Sequence, residues 1–305
     1  MKTDPAVSSA LGTVLAELAD ELERGGLPFA ADEARDIVAA VLDVPRFWPT
    51  THRDARIDAT AVEDARRAAS ARVRGAPFAY AVGRAAFRYL TLAVDERVLI
   101  PRQETEVLVD LVLQAEEGGR GVVVDVGTGS GAIALALATE GTFDAVIATD
   151  VSLGALAVAE RNAAFLRDDL CAPVELLHGS LLAPVKGRRV RAIVSNPPYI
   201  AFSELEELPA SVRDWEPPLA LLSADDGLAA TRAIVRDAWT VLESGGLLAM
   251  EVDTRRASLV AEAVASHGAY RDVAVHLDLT GRERFVLARR SNGDSGPEFR
   301  ARADS

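Results

Sequence analysis

Apolar positions in the first part of the chain recur at three- and four-residue steps. Val7, Leu11, Val14, Leu15, Leu18 and Leu22 form one face of an amphipathic helix, which Gly25-Gly26 should stop. A second face carries Ile37, Val38, Val41 and Leu42 and ends before Pro45. A third helix is expected to open on Thr60-Ala61-Val62-Glu63, where Thr and Glu could cap the first turn reciprocally. It should run to about Arg74 and end at Gly75. Residues 1–75 therefore read as an all-helical N-terminal domain without a chemical motif of its own, suited to recognising a partner.

From Phe87 to Val98 the period shortens to two. Leu90, Leu92 and Val94 alternate with Tyr89, Thr91 and Ala93, and Asp95-Glu96 reads as the turn of a β-hairpin. Residues 76–100 are expected to be this connector. Beyond Pro101, short β-branched runs alternate with helical stretches: Val122–Val126, Ala145–Asp150, Val174–His178, Ala192–Asn196 and Leu247–Val252. That order predicts a mostly parallel, doubly wound α/β sheet over 101–290. Val273–Leu277 and Phe285–Arg289 add two last strands around a turn at Thr280-Gly281. The tail 291–305 lacks apolar periodicity and is expected to be disordered.

Composition narrows the class. With 49% apolar and 26% charged residues over 305 positions, the chain has ample material for a core. It lacks the roughly 18 to 20 continuous apolar residues of a membrane span and a signal core at its start, so a cytoplasmic location is expected. The formal charge of −13, from 33 basic against 46 acidic residues, weighs against a stable nucleic-acid partner, which many Lys and Arg would have to clamp. Arg72, Arg74, Arg84 and Arg88 gather near the connector, as a solvated face or as a patch for an acidic partner or ribosomal RNA. Cys171 is alone, and the four histidines show no metal-ligand spacing, so no metal site is expected.

Three elements carry chemistry. The first is Asp125-Val-Gly127-Thr128-Gly129-Ser130-Gly131, between a strand and the helix from Ala132. Glycines admit positive φ and close approach of a ligand to the backbone. A dinucleotide fingerprint wants G-x-G-x-x-G; the G-x-G-x-G order here suits a ligand without a pyrophosphate, such as S-adenosylmethionine, although the turn could also serve only to pack strand on helix. The second is Asp150, about 20 residues past the glycine loop at the next strand's end, placed to accept from ribose hydroxyls or to cap the helix near Ser152.

The third is Ser195-Asn196-Pro197-Pro198-Tyr199, directly after an apolar strand. Prolines remove backbone donors, so the turn presents carbonyls. Asn196 adds an oxygen acceptor and an NH2 donor, and Tyr199 a flat face. The set suits a planar substrate –NH2: the Asn196 oxygen and the Pro197 carbonyl would hold its hydrogens while its nitrogen faces an electrophile.

Asn196-Pro197-Pro198-Tyr199 resembles the motif of methyltransferases acting on exocyclic base amines or on glutamine amides. Ile100-Pro101-Arg102-Gln103-Glu104-Thr105-Glu106 resembles the P-R-x-[DE]-T-E segment of the HemK/PrmC family, the glutamine-N5 methyltransferases of peptide chain release factors. The glycine loop, Glu216-Pro217 with Ala220-Leu221, Asp226-Gly227, and Asp278-Leu-Thr-Gly281-Arg-Glu-Arg284 are similar too. The resemblance covers roughly residues 75–290. It implies a class I methyltransferase of Rossmann-like fold, with seven strands, one antiparallel, and S-adenosyl-L-methionine as cofactor with S-adenosyl-L-homocysteine as product. The cofactor would lie against Asp125, Gly127, Thr128, Gly129, Ser130, Gly131, Asp150, Val151, Ser180, Leu181 and Asn196. The substrate would be the glutamine of a Gly-Gly-Gln motif in a class I release factor. Leu99, Arg102, Glu104 and Glu216 would bind it together with the catalytic Asn196, Pro197, Pro198 and Tyr199. Two segments depart from the family pattern: His178-Gly179-Ser180-Leu181, where an acidic residue and then an aromatic are usual, and Glu251-Val252-Asp253-Thr254-Arg255-Arg256 in place of E-I-G-x-x-Q. A ribosomal-protein glutamine, an adenine N6 of DNA or RNA, and a non-catalytic cofactor-binding module are the alternatives.

Overall fold

The computed structural model describes residues 9–292. They form two compact units, one reaching Arg84 and including Pro209–Trp215, the other running Ala85–Leu208 and from Glu216 onward. The predicted tail falls almost wholly outside the described residues, as does Val7.

The first unit is built on α1 (Leu11–Arg24), α2 (Ala30–Leu42) and α3 (Ala59–Val73). The stripe Leu11, Val14, Leu15, Leu18 and Leu22 packs with Ile37 and Val38 and with Val62, Ala65, Ala68 and Ala69. The capping of α3 differs from the expectation: Asp58, not Thr60, is the N-cap, and its carboxylate accepts from Ala61 N at 2.8 Å. Asp is as good a cap as Ser or Thr, and the helix starts one residue ahead of the Thr60 box. Short helices at Trp48–Thr51 and Phe78–Val82 and a two-residue antiparallel pair, Ser9–Ala10 with Arg56–Ile57, are too brief to leave a periodicity.

The hairpin exists with a different turn. Its strands are β1 (Arg84–Phe87) and β2 (Leu90–Ala93), joined at Arg88-Tyr89 rather than at Asp95-Glu96. Arg88 sits in left-handed backbone (φ 53°). Its N–H donates to Glu106 Oε1 at 3.0 Å, and its guanidinium pairs with Glu140 and Asp110. Long-range ion pairs therefore hold the turn. Arg84 pairs with Asp43, Arg72 with Glu33, and Arg74 donates to Ser70 Oγ; the four arginines are engaged within the chain.

After α4 (Gln103–Ala115) come β3 (Val122–Val126), α5 (Ala132–Glu140), β4 (Ala145–Asp150), α6 (Leu153–Phe165), β5 (Val174–His178) and β6 (Val190–Ser195). Then follow α7 (Ala229–Ala238), β7 (Leu242–Glu251), α8 (Ala257–Ser266), β8 (Tyr270–Leu277) and β9 (Glu283–Arg290). The seven strands lie in the order β8–β9–β7–β6–β3–β4–β5, and β9 is the one strand that runs opposite to the other six. Alternation along the strands feeds two cores. Val123, Ala192, Val194 and Leu247 face α4 and α5, whereas Val124, Ile193, Leu248 and Met250 face α7 and α8. Helix α5 is apolar all round and every residue from Ala132 to Ala138 is buried, as expected of a helix enclosed on all sides. The chain leaves β3 toward β4 and β5, then returns to place β6 on the other side of β3. That reversal opens a crevice at the strands' carboxyl ends, where open α/β sheets bind ligands.

Candidate active site

Into that crevice the strand ends deliver Gly127 and Gly129 after β3, Asp150 and Val151 at β4, Ser180 and Leu181 after β5, and Asn196 after β6. All line one cavity of ≈ 380 Å³, with Leu99 and Pro198 also in its wall. The volume lies in the ~300–1,000 Å³ range of small-molecule sites. Four separate sequence motifs thus converge on one place. The remaining expected residues stand back from it. Asp125 is fully buried beneath the loop, where its Oδ2 accepts from Thr128 Oγ1 at 2.6 Å and from Ala134 N at 3.1 Å. Thr128 and Ser130 are buried as well, and Gly131 is the N-cap of α5 with φ 86°. Asp125 therefore shapes the loop from below through Oδ2 and does not line the cavity. Burial pushes its carboxyl up to about 7, against the pull of the Thr128 and Ala134 hydrogen bonds.

Asp150 is spanned by the loop it faces. Gly129 N donates to Oδ2 at 2.9 Å and Ser152 N to Oδ1 at 2.8 Å. The cap of α6 is Ser152, which accepts from Ala155 N at 3.1 Å, so the capping alternative for Asp150 falls away. At Gly127 and Gly129 (φ 77° and 56°) an added Cβ would meet no atom within 4 Å; their open sides are what lets a ligand lie on the backbone. Asn162 escaped the sequence reading. It donates to Ala93 O at 3.0 Å and Ser130 O at 2.8 Å and accepts from Ala93 N at 2.7 Å, lashing α6, β2 and the glycine loop together. A buried Asn in a helix gives no local signal of such a role. The unusual segment after β5 still forms wall: Gly179 N donates to Asp150 O at 2.9 Å, and Leu181 takes φ 48°.

The turn after β6 is anchored at both ends. Ser195 Oγ donates to Val126 O at 2.7 Å, tying β6 to β3. Downstream, Ile200–Ala201 pairs in parallel with Leu222–Ser223, and Glu204 makes ion pairs with Arg255 and Arg256. The departure at 253–256 therefore supplies the clasp on this segment, with Asp253 Oδ1 accepting from Arg255 N at 2.8 Å. Asn196 Nδ2 donates to Thr105 Oγ1 at 3.1 Å, and Thr105 Oγ1 donates to Glu251 Oε2 at 2.7 Å. Neither Thr105 nor Glu251 was expected at the site. Pro197 and Tyr199 lie outside the cavity lining, and burial raises the Tyr199 phenol well above its ordinary range. Arg102, Glu104 and Glu216 do not line the cavity either. Arg102 pairs with the buried Glu216 at 2.6 Å, and Glu216 Oε2 is left without a hydrogen-bond partner; Glu104 is exposed.

A sheet of this order, with a glycine loop and an Asn-Pro-Pro-Tyr turn at adjoining strand ends, defines a class I methyltransferase. Residues 103–208 match the methyltransferase small domain, and residues 13–83 the PrmC N-terminal domain. The release factor glutamine methyltransferase of Moorella thermoacetica is 44% identical over 220 residues, which cover 72% of this chain and 77% of that protein. The enzyme of the same name from Xylella fastidiosa is 38% identical over 258 residues, 84% of this chain and 92% of its own length. A solved methyltransferase from Pyrococcus furiosus shares the fold, with a TM-score of 0.50 at 17% identity over 68% of this chain and 91% of its own. The chain belongs to the release factor glutamine methyltransferase family.

Proposed function

We propose that this chain transfers a methyl group from S-adenosyl-L-methionine to the amide nitrogen (N5) of the glutamine in the Gly-Gly-Gln loop of a class I release factor, leaving S-adenosyl-L-homocysteine and one proton released from the amide nitrogen. One observation carries the reading: Asn196 lines the same cavity as Gly127, Gly129 and Asp150, with its NH2 committed to Thr105. Its Oδ1 is thereby the atom left to accept from a substrate –NH2.

The residues present fit that cofactor. The open sides of Gly127 and Gly129 would cradle it, Asp150 would meet its ribose hydroxyls, and Val151, Leu181 and Ala155 give apolar wall for a planar base. When bound, it supplies a methyl group already activated on a sulfonium. The protein's own residues then have a positioning task. An amide nitrogen is a poor nucleophile because its lone pair is delocalised into the carbonyl. Acceptance of both N–H hydrogens, by Asn196 Oδ1 and the Pro197 carbonyl, polarises the group and aims the lone pair. Holding reacting atoms about 3–3.5 Å apart supplies much of the rate. Leu99, in the cavity wall, would pack the glutamine's aliphatic stem, and the helical unit would recognise the partner protein. A modifier of translation factors would work in the cytoplasm; among the described residues no helix is long and apolar enough to cross a membrane.

The test offers a labelled methyl donor to a release factor, ribosomal proteins and DNA in parallel. Label is expected on the release-factor glutamine. Asn196→Ala should lower single-turnover methylation by about 10²–10³, the usual loss for one preorganised contact, and leave cofactor affinity far less changed. Label on DNA or a ribosomal protein alone overturns the substrate; a wild-type rate for Asn196→Ala overturns the mechanism.

A further inference from the structure

An asparagine side chain can serve the proposed chemistry in only one of its two orientations. With Oδ1 toward the cavity it accepts from a substrate –NH2; with Nδ2 there, two donors face two donors and the contact is lost. Packing scarcely distinguishes the two, because the amide's O and N are nearly the same size. The choice must come from hydrogen-bond partners, and the structure places two behind Asn196. Thr105, 5% exposed on the first turn of α4, accepts from Asn196 Nδ2 at 3.1 Å. Glu251, 1% exposed at the end of β7, accepts from Thr105 Oγ1 at 2.7 Å.

We propose that Glu251 is a positioning residue which, acting through Thr105, sets the orientation of the Asn196 amide and so the polarity of the site. The inference rests on the methyl-transfer reading above and adds two residues to it. The logic is that of proton counting. An ionised carboxylate only accepts, and a hydroxyl has one proton to give. Thr105 must therefore spend its proton on Glu251, and its oxygen is left able only to accept from Asn196 Nδ2. Oδ1 then faces the cavity. If Glu251 carries a proton, the carboxyl can donate to Thr105, and the freed hydroxyl can donate to Asn196 Oδ1. The amide turns over and presents donors to the substrate.

The surroundings make that second state accessible near neutrality. Burial raises the Glu251 carboxyl to about 7, opposed by the Thr105 hydrogen bond. Arg284 on β9 and a hydrogen bond from Tyr199 also favour the charged form, while Glu104 on α4 disfavours it. Arg102 and Asp253 each act on Tyr199, the first favouring and the second disfavouring its charged form. Methylation should accordingly rise with pH through the Glu251 titration and then level off.

The experiment follows the side-chain amide signals of Asn196 by NMR in the full-length protein as pH is raised through about 7. In wild type these signals should titrate with the Glu251 carboxyl; in Glu251→Gln and Thr105→Val they should be static. In single-turnover methylation, Thr105→Val should lose about tenfold to a hundredfold, the worth of a hydrogen bond to a charged group. Thr105→Ser should recover most of that loss. On an Asn196→Ala background, Thr105→Val should cost no further rate. The relay is overturned if the Asn196 signals titrate unchanged in Thr105→Val, or if that substitution costs as much without Asn196 as with it. The amide signals need no substrate, so a chain that methylated no release factor would sink the proposed function while the relay was still decided by NMR.

Discussion

Gly129 shows most directly how a single residue makes the site. Its φ of 56° lies in left-handed backbone, and its missing side chain would point into open space. Valine there would meet no protein atom, but it would be strained by about 1–2 kcal/mol and would fill room that a ligand needs. Gly129→Val should therefore keep the fold, seen by circular dichroism, and lose cofactor binding, seen by calorimetry. Unchanged affinity in a folded variant would remove this loop from the cofactor site. Asp125 makes the complementary point. Two residues ahead of the first glycine, it looks like a ligand contact in the sequence, yet it is buried beneath the loop, where its Oδ2 accepts from Thr128 and Ala134.

Among the elements, the turn after β6 depends on a neighbour distant in the sequence. Gly227 packs its backbone against the Tyr199 carbonyl so closely that a Cβ would overlap it, and its φ of 83° adds strain for any other residue. Gly227→Ala should push the Asn196–Tyr199 turn out of place. A misplacement on the order of 1 Å can lower turnover by about a hundredfold, whereas the glycine loop, on another strand, should keep its cofactor affinity. Steady-state turnover alongside direct titration separates the two. Equal losses in both, or none, would show that this packing does not set the turn. The hairpin teaches the same lesson about elements: its alternating pattern is plain between Tyr89 and Val94, but ion pairs of Arg88 with α4 and α5 decide where it bends.

The stability of the whole molecule bears the mark of two buried carboxyls. Asp125 and Glu251 are both raised to about 7, first of all by burial, from 3.8 and 4.5. The native state thus holds these protons more tightly than the unfolded chain. Their contribution to stability is full below the unfolded values and is lost as pH rises through about 7. Denaturant unfolding of the cofactor-free protein should give falling midpoints over that window. Asp125→Asn keeps an oxygen for Thr128 and Ala134 and sets an NH2 where Oδ1 lacks a partner. Its midpoints should fall less steeply, and a slope equal to wild type would refute the assignment.

The sequence by itself determined most of the helical and strand segments and the glycine, acidic and Asn-Pro-Pro-Tyr motifs. Each is written in local spacing: period 3.6 or 2, glycines where φ must be positive, prolines where donors must vanish. Only the tertiary structure decided what stands behind those motifs. Thr105 lies 91 positions before Asn196 and 146 before Glu251, and sheet order together with helix packing brings the three together at the adjoining ends of β6 and β7. The withdrawal of Asp125 from the cavity, the clasp of Glu204 on Arg255 and Arg256, and the Arg88 turn have the same origin. Side chains far apart in the chain meet where burial limits each polar group to the partners that the fold brings beside it, and no local pattern encodes that choice.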